Sequence, residues 1–192
     1  MASVPTATKR YTVDDLAEFP DDGRLRELVD GRIEEWGVTT YRHGFVLALL
    51  TTLLMSHIRS KRLGQVTSAD NLVRIQGSAH NARGADVAFF SRARLPRDID
   101  ASATTTAPDF VIEVLSPSDR ASAVEDKIAD WLRAEVRLLW YVNPETGTTM
   151  VYQGDRVTRV GPDQVLDGGD VVPGFQLKMR ELLDEFEEAV TE

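Results

Sequence analysis

Two apolar runs in the middle of the chain each carry a carboxylate at a position where a strand would bury it. They are Gly84-Ala85-Asp86-Val87-Ala88-Phe89-Phe90 and Asp109-Phe110-Val111-Ile112-Glu113-Val114-Leu115. An ionised carboxylate taken out of water without a partner is strongly destabilising. A chain with two such runs must give each acid a cation, hydrogen-bond donors or a metal, and this restricts what can pack beside them. Strand alternation sets Asp109, Val111, Glu113 and Leu115 on one face. If the two strands are neighbours, Asp86 and Glu113 converge, and two carboxylates at one point suit a hard cation such as Mg²⁺. The competing reading is an ordinary ion pair, with Arg83 or Arg120 as the cation.

The pattern around these runs predicts a mixed α/β sheet flanked by helices. Residues 1–10 read as a disordered tail and residues 11–192 as a single domain. Thr12 and Asp15 have the spacing of a helix cap, and Pro20-Asp21-Asp22-Gly23 ends that short helix. Asp30-Gly31 sits between two strand-like segments, Arg24 to Trp36 overall, which is a strong two-residue hairpin signal. From His43 to Arg62 the apolar positions Val46, Leu49, Leu50, Leu53, Leu54 and Ile58 repeat at helical spacing, and Gly64 reads as the stop. Strands are expected near Asn71–Gln76, Ala85–Phe90 and Phe110–Leu115, with Ser91–Pro108 a polar loop. Ser122 and Glu125 match a capping box for a helix running to about Ala134. Leu138–Val142 is the most apolar strand and so is expected at the centre of the sheet. Strands at Thr149–Gln153 and Arg156–Val160, a loop at Gly161–Gly169 and an acidic helix at Met179–Val190 complete the chain.

Composition narrows the function. The net charge is −9, so a global basic field for gripping phosphates is absent, and any nucleic acid must bind through a local patch or with divalent cations. The chain has no cysteine, which excludes disulfides and thiolate metal sites and suits a cytoplasmic protein. No window approaches about 18 uninterrupted apolar residues, so no transmembrane helix is expected, and the N-terminus lacks the pattern of a secretory signal.

Two further residues bear on the site. Glu27 precedes the hairpin turn between apolar neighbours; by itself it reads as a solvated strand residue. Lys127 flanks the apolar face formed by Val124, Ile128, Trp131 and Leu132, where a lysine either snorkels or lays its stem on the sheet and offers its ammonium to the carboxylates. His43 and His57, nearly four turns apart on one helical face, read as packing or dimer contacts. His80 lies in a polar turn, and Ser116-Pro117-Ser118 reads as a turn as well.

Several of these segments resemble a known family. Arg26-Glu27-Leu28-Val29-Asp30-Gly31, His43-Gly44, Ala85-Asp86-Val87-Ala88-Phe89 and the long block Pro108 to Asp119 are similar to the Uma family of restriction-endonuclease-like proteins. Lys127, Leu139-Trp140-Tyr141-Val142-Asn143-Pro144, Gly168-Gly169-Asp170 and Pro173-Gly174-Phe175 extend the likeness over roughly residues 11–183. The resemblance implies the PD-(D/E)XK nuclease superfamily, with a restriction-endonuclease-like mixed sheet and a homodimer as the expected assembly. It implies Asp86, Glu113 and Glu27 as the acidic residues around Mg²⁺ (Mn²⁺ as a substitute), and DNA as substrate. Two positions depart from the superfamily pattern. Ala85 stands where proline usually precedes the aspartate, and Leu115 stands where the lysine two residues after Glu113 is usual; the equivalent lysine falls on the next helix, at Lys127. Arg92, Arg94 and Arg97, or Arg59, Lys61 and Arg62, are the candidate substrate contacts by local charge. The rival function is a non-catalytic protein that keeps the nuclease fold for binding or assembly, and a third is a nuclease acting on RNA or on structured or modified DNA.

Overall fold

The computed structural model describes residues 9–20, 22, 24–36 and 39–191. Residues 1–8 of the expected tail, and Asp21 and Gly23 of the expected helix end, lie outside them. Thr12 and Asp15 do cap each other, with Thr12 N–H donating to Asp15 Oδ2 at 2.6 Å, but the turn they open is a 3-10 helix, Asp14–Glu18.

Strands β1 (Leu25–Val29) and β2 (Arg32–Trp36) form the hairpin. Its turn residues Asp30 and Gly31 both have positive φ, 47° and 78°. That is the conformation an Asp-Gly pair supplies at low cost, and its twist matches that of the flanking strands. Helix α1 (Tyr41–Lys61) begins where Thr40 accepts the His43 N–H. It ends on Arg62 in the left-handed region (φ 54°), and Leu63 N–H reaches back to the Ile58 carbonyl. The stop is thus Arg62, not Gly64. Gly64 opens the next strand instead, where a Cβ would collide with the Phe90 carbonyl of the neighbouring strand.

That strand, β3 (Gly64–Arg74), runs much longer than its sequence suggests and pairs with β4 (Ala82–Ser91) through a bulge between Ser68 and Asn71. β5 (Phe110–Val114) follows the polar loop. Helix α2 (Ala121–Arg133) then crosses to β6 (Leu138–Val142), which lies parallel to β5. The helix starts two residues earlier than a cap at Ser122 predicts. Arg120 is its N-cap, with no side-chain cap bond, so Ser122 lies inside the first turn and the box with Glu125 does not form. β7 (Thr149–Gln153) and β8 (Arg156–Val160) complete an eight-stranded sheet ordered β2-β1-β4-β5-β6-β7-β8, with β3 also on β4. A small pair, β9 (Leu166–Asp167) and β10 (Gln176–Leu177), precedes α3 (Met179–Thr191).

Each face of the sheet has its own core. Val46, Leu50, Leu54 and Ile58 of α1 and Met179 and Leu182 of α3 pack on Phe110, Ile112 and Trp140. On the other face Trp131 of α2 packs with Phe90, Val111, Leu139 and Tyr141. β6 is buried along its whole length, as a central strand must be. Among the described residues no helix is long and apolar enough to cross a membrane.

Candidate active site

The site lies where β4 changes partners. β4 pairs with β3 along one side. On its other side it pairs with β1 only at Ala82 and with β5 only at Val87–Phe89. Between those points the sheet splays, and backbone amides that would meet a strand need other acceptors. Two carboxylates provide them. Gly84 N–H donates to Glu27 Oε1 at 2.9 Å, and on β5 Val114 N–H donates to Asp86 Oδ2 at 2.7 Å. Glu27 is therefore buried, 3% exposed, and not the solvated strand residue its local sequence suggests.

Helix α2 closes the splay with three residues on one face, at the i, i+3, i+4 spacing. Lys127 Nζ stands 2.9 Å from Glu113 Oε2 and 3.2 Å from Glu27 Oε1. Trp131 Nε1 donates to Glu113 Oε1 at 2.8 Å. Asp130 Oδ2 accepts from Arg83 Nε at 2.7 Å, and the same guanidinium donates from Nη1 to Glu27 Oε2 at 3.0 Å. Arg133 supports Asp130 from the solvent side. Arg83 thus serves Glu27 and Asp130, leaving the Asp86–Glu113 pair to other partners. From α1, the His43 ring sits with Nε2 2.9 Å from the Val114 carbonyl and 3.7 Å from Asp86 Oδ2.

The electrostatics follow from this burial. Burial is the largest influence on Glu113 and pushes its carboxyl well up, with the Lys127 ammonium pulling the other way. Burial alone would lower the Lys127 ammonium, but Glu113 and Glu27 outweigh it and carry it well above its ordinary value. Both directions express one fact: the pair holds on to its proton. For Asp86 burial acts upward, yet His43, Lys127 and the Val114 N–H together hold the carboxyl below its usual range. Burial lowers His43 and Asp86 raises it, with a net upward shift. Burial pushes the Tyr141 phenol, which also faces this chamber, strongly upward.

Glu27, Asp86, Glu113 and Lys127 all line one chamber of roughly 80 Å³, together with His43 and Asp119. None of Arg92, Arg94, Arg97, Arg59, Lys61 or Arg62 lines it. Arg94 lies 3.5 Å from Asp109, and Lys61 and His57 both reach the Pro173 carbonyl. His80 bonds the Tyr11 carbonyl, and Ser116 N–H donates to Asp119 Oδ2 within its turn. His43 does pack, as its helical face requires, but it packs into the site. Sequence reasoning missed the Arg83–Asp130 link and the Trp131 N–H. The signal was present: Asp130 and Trp131 share the buried face of α2 with Lys127.

The donor set bears on which cation could be held. The described residues contain no group of three His, Asp or Glu side chains drawn together as a ready ligand cage. Both Glu27 oxygens and both Glu113 oxygens already meet protein donors. Glu113 could serve a cation only by giving up one of these donors, and Asp86 and Glu113 with waters in the remaining positions would then be a set of the kind Mg²⁺ uses. It does not fit a tetrahedral zinc site.

A mixed sheet with helices on both faces and acids and a lysine gathered at a splayed strand defines a restriction-endonuclease-like protein. The chain belongs to the Uma2 family, described as "Putative restriction endonuclease", whose model matches residues 13–180. A solved structure from Anabaena variabilis ATCC 29413, described as a putative nuclease belonging to DUF820, superposes with a TM-score of 0.79 at 19% identity. The alignment covers 90% of this chain and 97% of that one. At that identity the likeness establishes the fold. None of the curated proteins matches.

Proposed function

We propose that the chain is a nuclease that hydrolyses phosphodiester bonds in DNA with a divalent cation, Mg²⁺ or Mn²⁺ in its place. The observation that carries this reading is the position of Lys127 Nζ, 2.9 Å from Glu113 and 3.2 Å from Glu27 in the chamber that Asp86 also lines. The superfamily lysine is absent at Leu115, and in this reading Lys127 of α2 takes its part. Family membership supports a nucleic-acid substrate.

Asp86 and Glu113 would hold the cation, which when bound lowers the pKa of a water and offsets charge on the scissile phosphate. Glu27, with both oxygens engaged, orients Lys127 and can complete the site if its contacts exchange. The Lys127 ammonium, kept charged by two carboxylates, is placed to position the attacking water and to stabilise negative charge developing on the phosphoryl oxygens. Trp131 and the Val114 N–H hold the rotamers of Glu113 and Asp86, and Glu113 would release one of its present donors to take the cation.

The rival reading, a non-catalytic nuclease-fold protein, draws on one observation: Glu27 and Glu113 are satisfied by protein donors without any ion. Calorimetry with Mg²⁺ or Mn²⁺ separates the two. Binding that disappears in Asp86→Ala, together with DNA cleavage that disappears in Lys127→Met, supports the enzyme. No binding, or binding unchanged in Asp86→Ala, refutes it.

A further inference from the structure

A second and larger cavity adjoins the carboxylate chamber. It measures roughly 470 Å³ and lies between β1, β3 and the loop after β4, sharing Leu25 and Glu27 with the chamber as a common wall. The chamber itself measures roughly 80 Å³, well short of the roughly 300–1,000 Å³ of pockets that take a small organic ligand. It suits a phosphoryl group and not a nucleoside. Whatever is attached to a phosphate held there must continue elsewhere, and the shared wall leads into the cleft.

The lining of the cleft is not that of a phosphate site. Its two cations are already paired: Arg24 lies 2.9 Å from Glu35, and Arg26 lies 2.7 Å from Asp22 and 3.1 Å from Glu35. The two carboxylates of the lining are engaged as well, Glu27 by Arg83 and the Gly84 N–H and Asp98 by Thr104 and Thr105, which leaves apolar Phe19, Leu72 and Ile99 and amide-bearing Gln65 and Asn71. Thr67, also in the lining, has a buried hydroxyl with no hydrogen-bond partner in the structure. A flat ring with a polar edge suits such a surface; a charged group does not. Volumes of this order are those of small-ligand pockets.

We infer that this cleft receives the base of the nucleotide adjoining the scissile phosphate, and that the base enters it unpaired. This rests on the nuclease reading above and sharpens its substrate class. A base inside a duplex is stacked on both faces and cannot reach a concave cleft without leaving the stack. The preferred substrate is therefore single-stranded DNA, or duplex with a base that is easily extruded.

The test is an abasic scan by fluorescence anisotropy, on the full chain at low salt with Ca²⁺ present. Single-stranded and duplex oligonucleotides are compared, and each position of the single strand is replaced in turn by an abasic residue. The single strand should bind more tightly than the duplex. One position should stand out, with about tenfold or greater weakening when its base is removed. Leu72→Trp, which fills the cleft, should abolish that position dependence; exposed Gln65→Ala, which spares the core, should change which base is preferred there. Binding with a flat scan, or duplex bound as tightly as single strand, overturns the cleft assignment and leaves the nuclease reading standing. Failure to bind any nucleic acid overturns both.

Discussion

Arg83→Met tests whether the buried ion network beneath the site holds the fold together at that point. Arg83 is 2% exposed and makes two charge-assisted bonds, to Glu27 at 3.0 Å and to Asp130 at 2.7 Å. Methionine replaces most of the stem and none of the charge. Removing one partner of a buried ion pair costs about 3–5 kcal/mol, because it leaves the other charge uncompensated. Here each abandoned acid keeps a second cation, Lys127 for Glu27 and Arg133 for Asp130. That places the expected cost at the low end, about 3 kcal/mol. With a urea m-value of about 2–3 kcal/mol/M for a chain of this size, the unfolding midpoint should fall by about 1 M. Arg83→Lys keeps the charge but has a single ammonium that cannot reproduce the two-ended fork, so it should restore less than half of the loss. Asp130→Asn combined with Arg83→Met should cost clearly less than the sum of the singles. A midpoint shift below about 0.3 M in Arg83→Met, or strict additivity with Asp130→Asn, would refute the network as drawn.

Three further outcomes follow from the same geometry. Trp131→Phe removes the donor to Glu113 Oε1 while keeping most of the ring, and should cost about 1–3 kcal/mol in urea unfolding. In Lys127→Met the burial that raises Glu113 is no longer opposed by an ammonium. A carboxyl raised in the folded state contributes stability below its unfolded value of 4.5 and loses it as pH rises through the folded value. Melting of that variant should therefore be best in acid and fall toward neutrality relative to wild type. Asp98 accepts from Thr104 Oγ1, Thr105 N–H and Thr105 Oγ1, led by the Thr104 bond, and its carboxyl is held down at about 2. A lowered carboxyl contributes above its unfolded value of 3.8 and ceases to as pH falls through about 2. Hydrogen exchange in the 92–108 loop should thus be faster in Asp98→Ala at pH 5, after correction for intrinsic rates, and the gap should close toward pH 2.

What the sequence disclosed and what it withheld divide along physical lines. The hairpin was readable because Asp30-Gly31 is a local preference that the fold has no reason to override. Asp86 and Glu113 were readable because acids inside apolar strands conflict with burial, and such a conflict marks a site. The first half of β3 was not readable. Gly64, Gln65 and Ser68 interrupt its β-branched residues, and the segment is extended because Gly64 to Ser68 pair with β4. Glu27 was misread locally, since its burial depends on an amide from β4, 57 residues away. The α1 stop was misplaced because glycine is the usual left-handed residue, and here an arginine takes that conformation while the glycine serves a close strand approach. Lys127 could be placed on the edge of a helical face but not aimed; only the crossing of α2 over the splay fixes where its ammonium lies.

The carboxylates at the splay have a double employment that bears on how activity is lost. Glu27 and Asp86 stand in for missing strand partners, and Glu113 anchors the Trp131 indole. Replacing any of them disturbs the sheet as well as the chemistry, so a descendant under no selection for cleavage would still be held to these acids by its need to fold. Acidic residues alone are then a poor marker of a working enzyme in chains built this way, and a degenerate copy could look intact in its acids long after it had fallen silent.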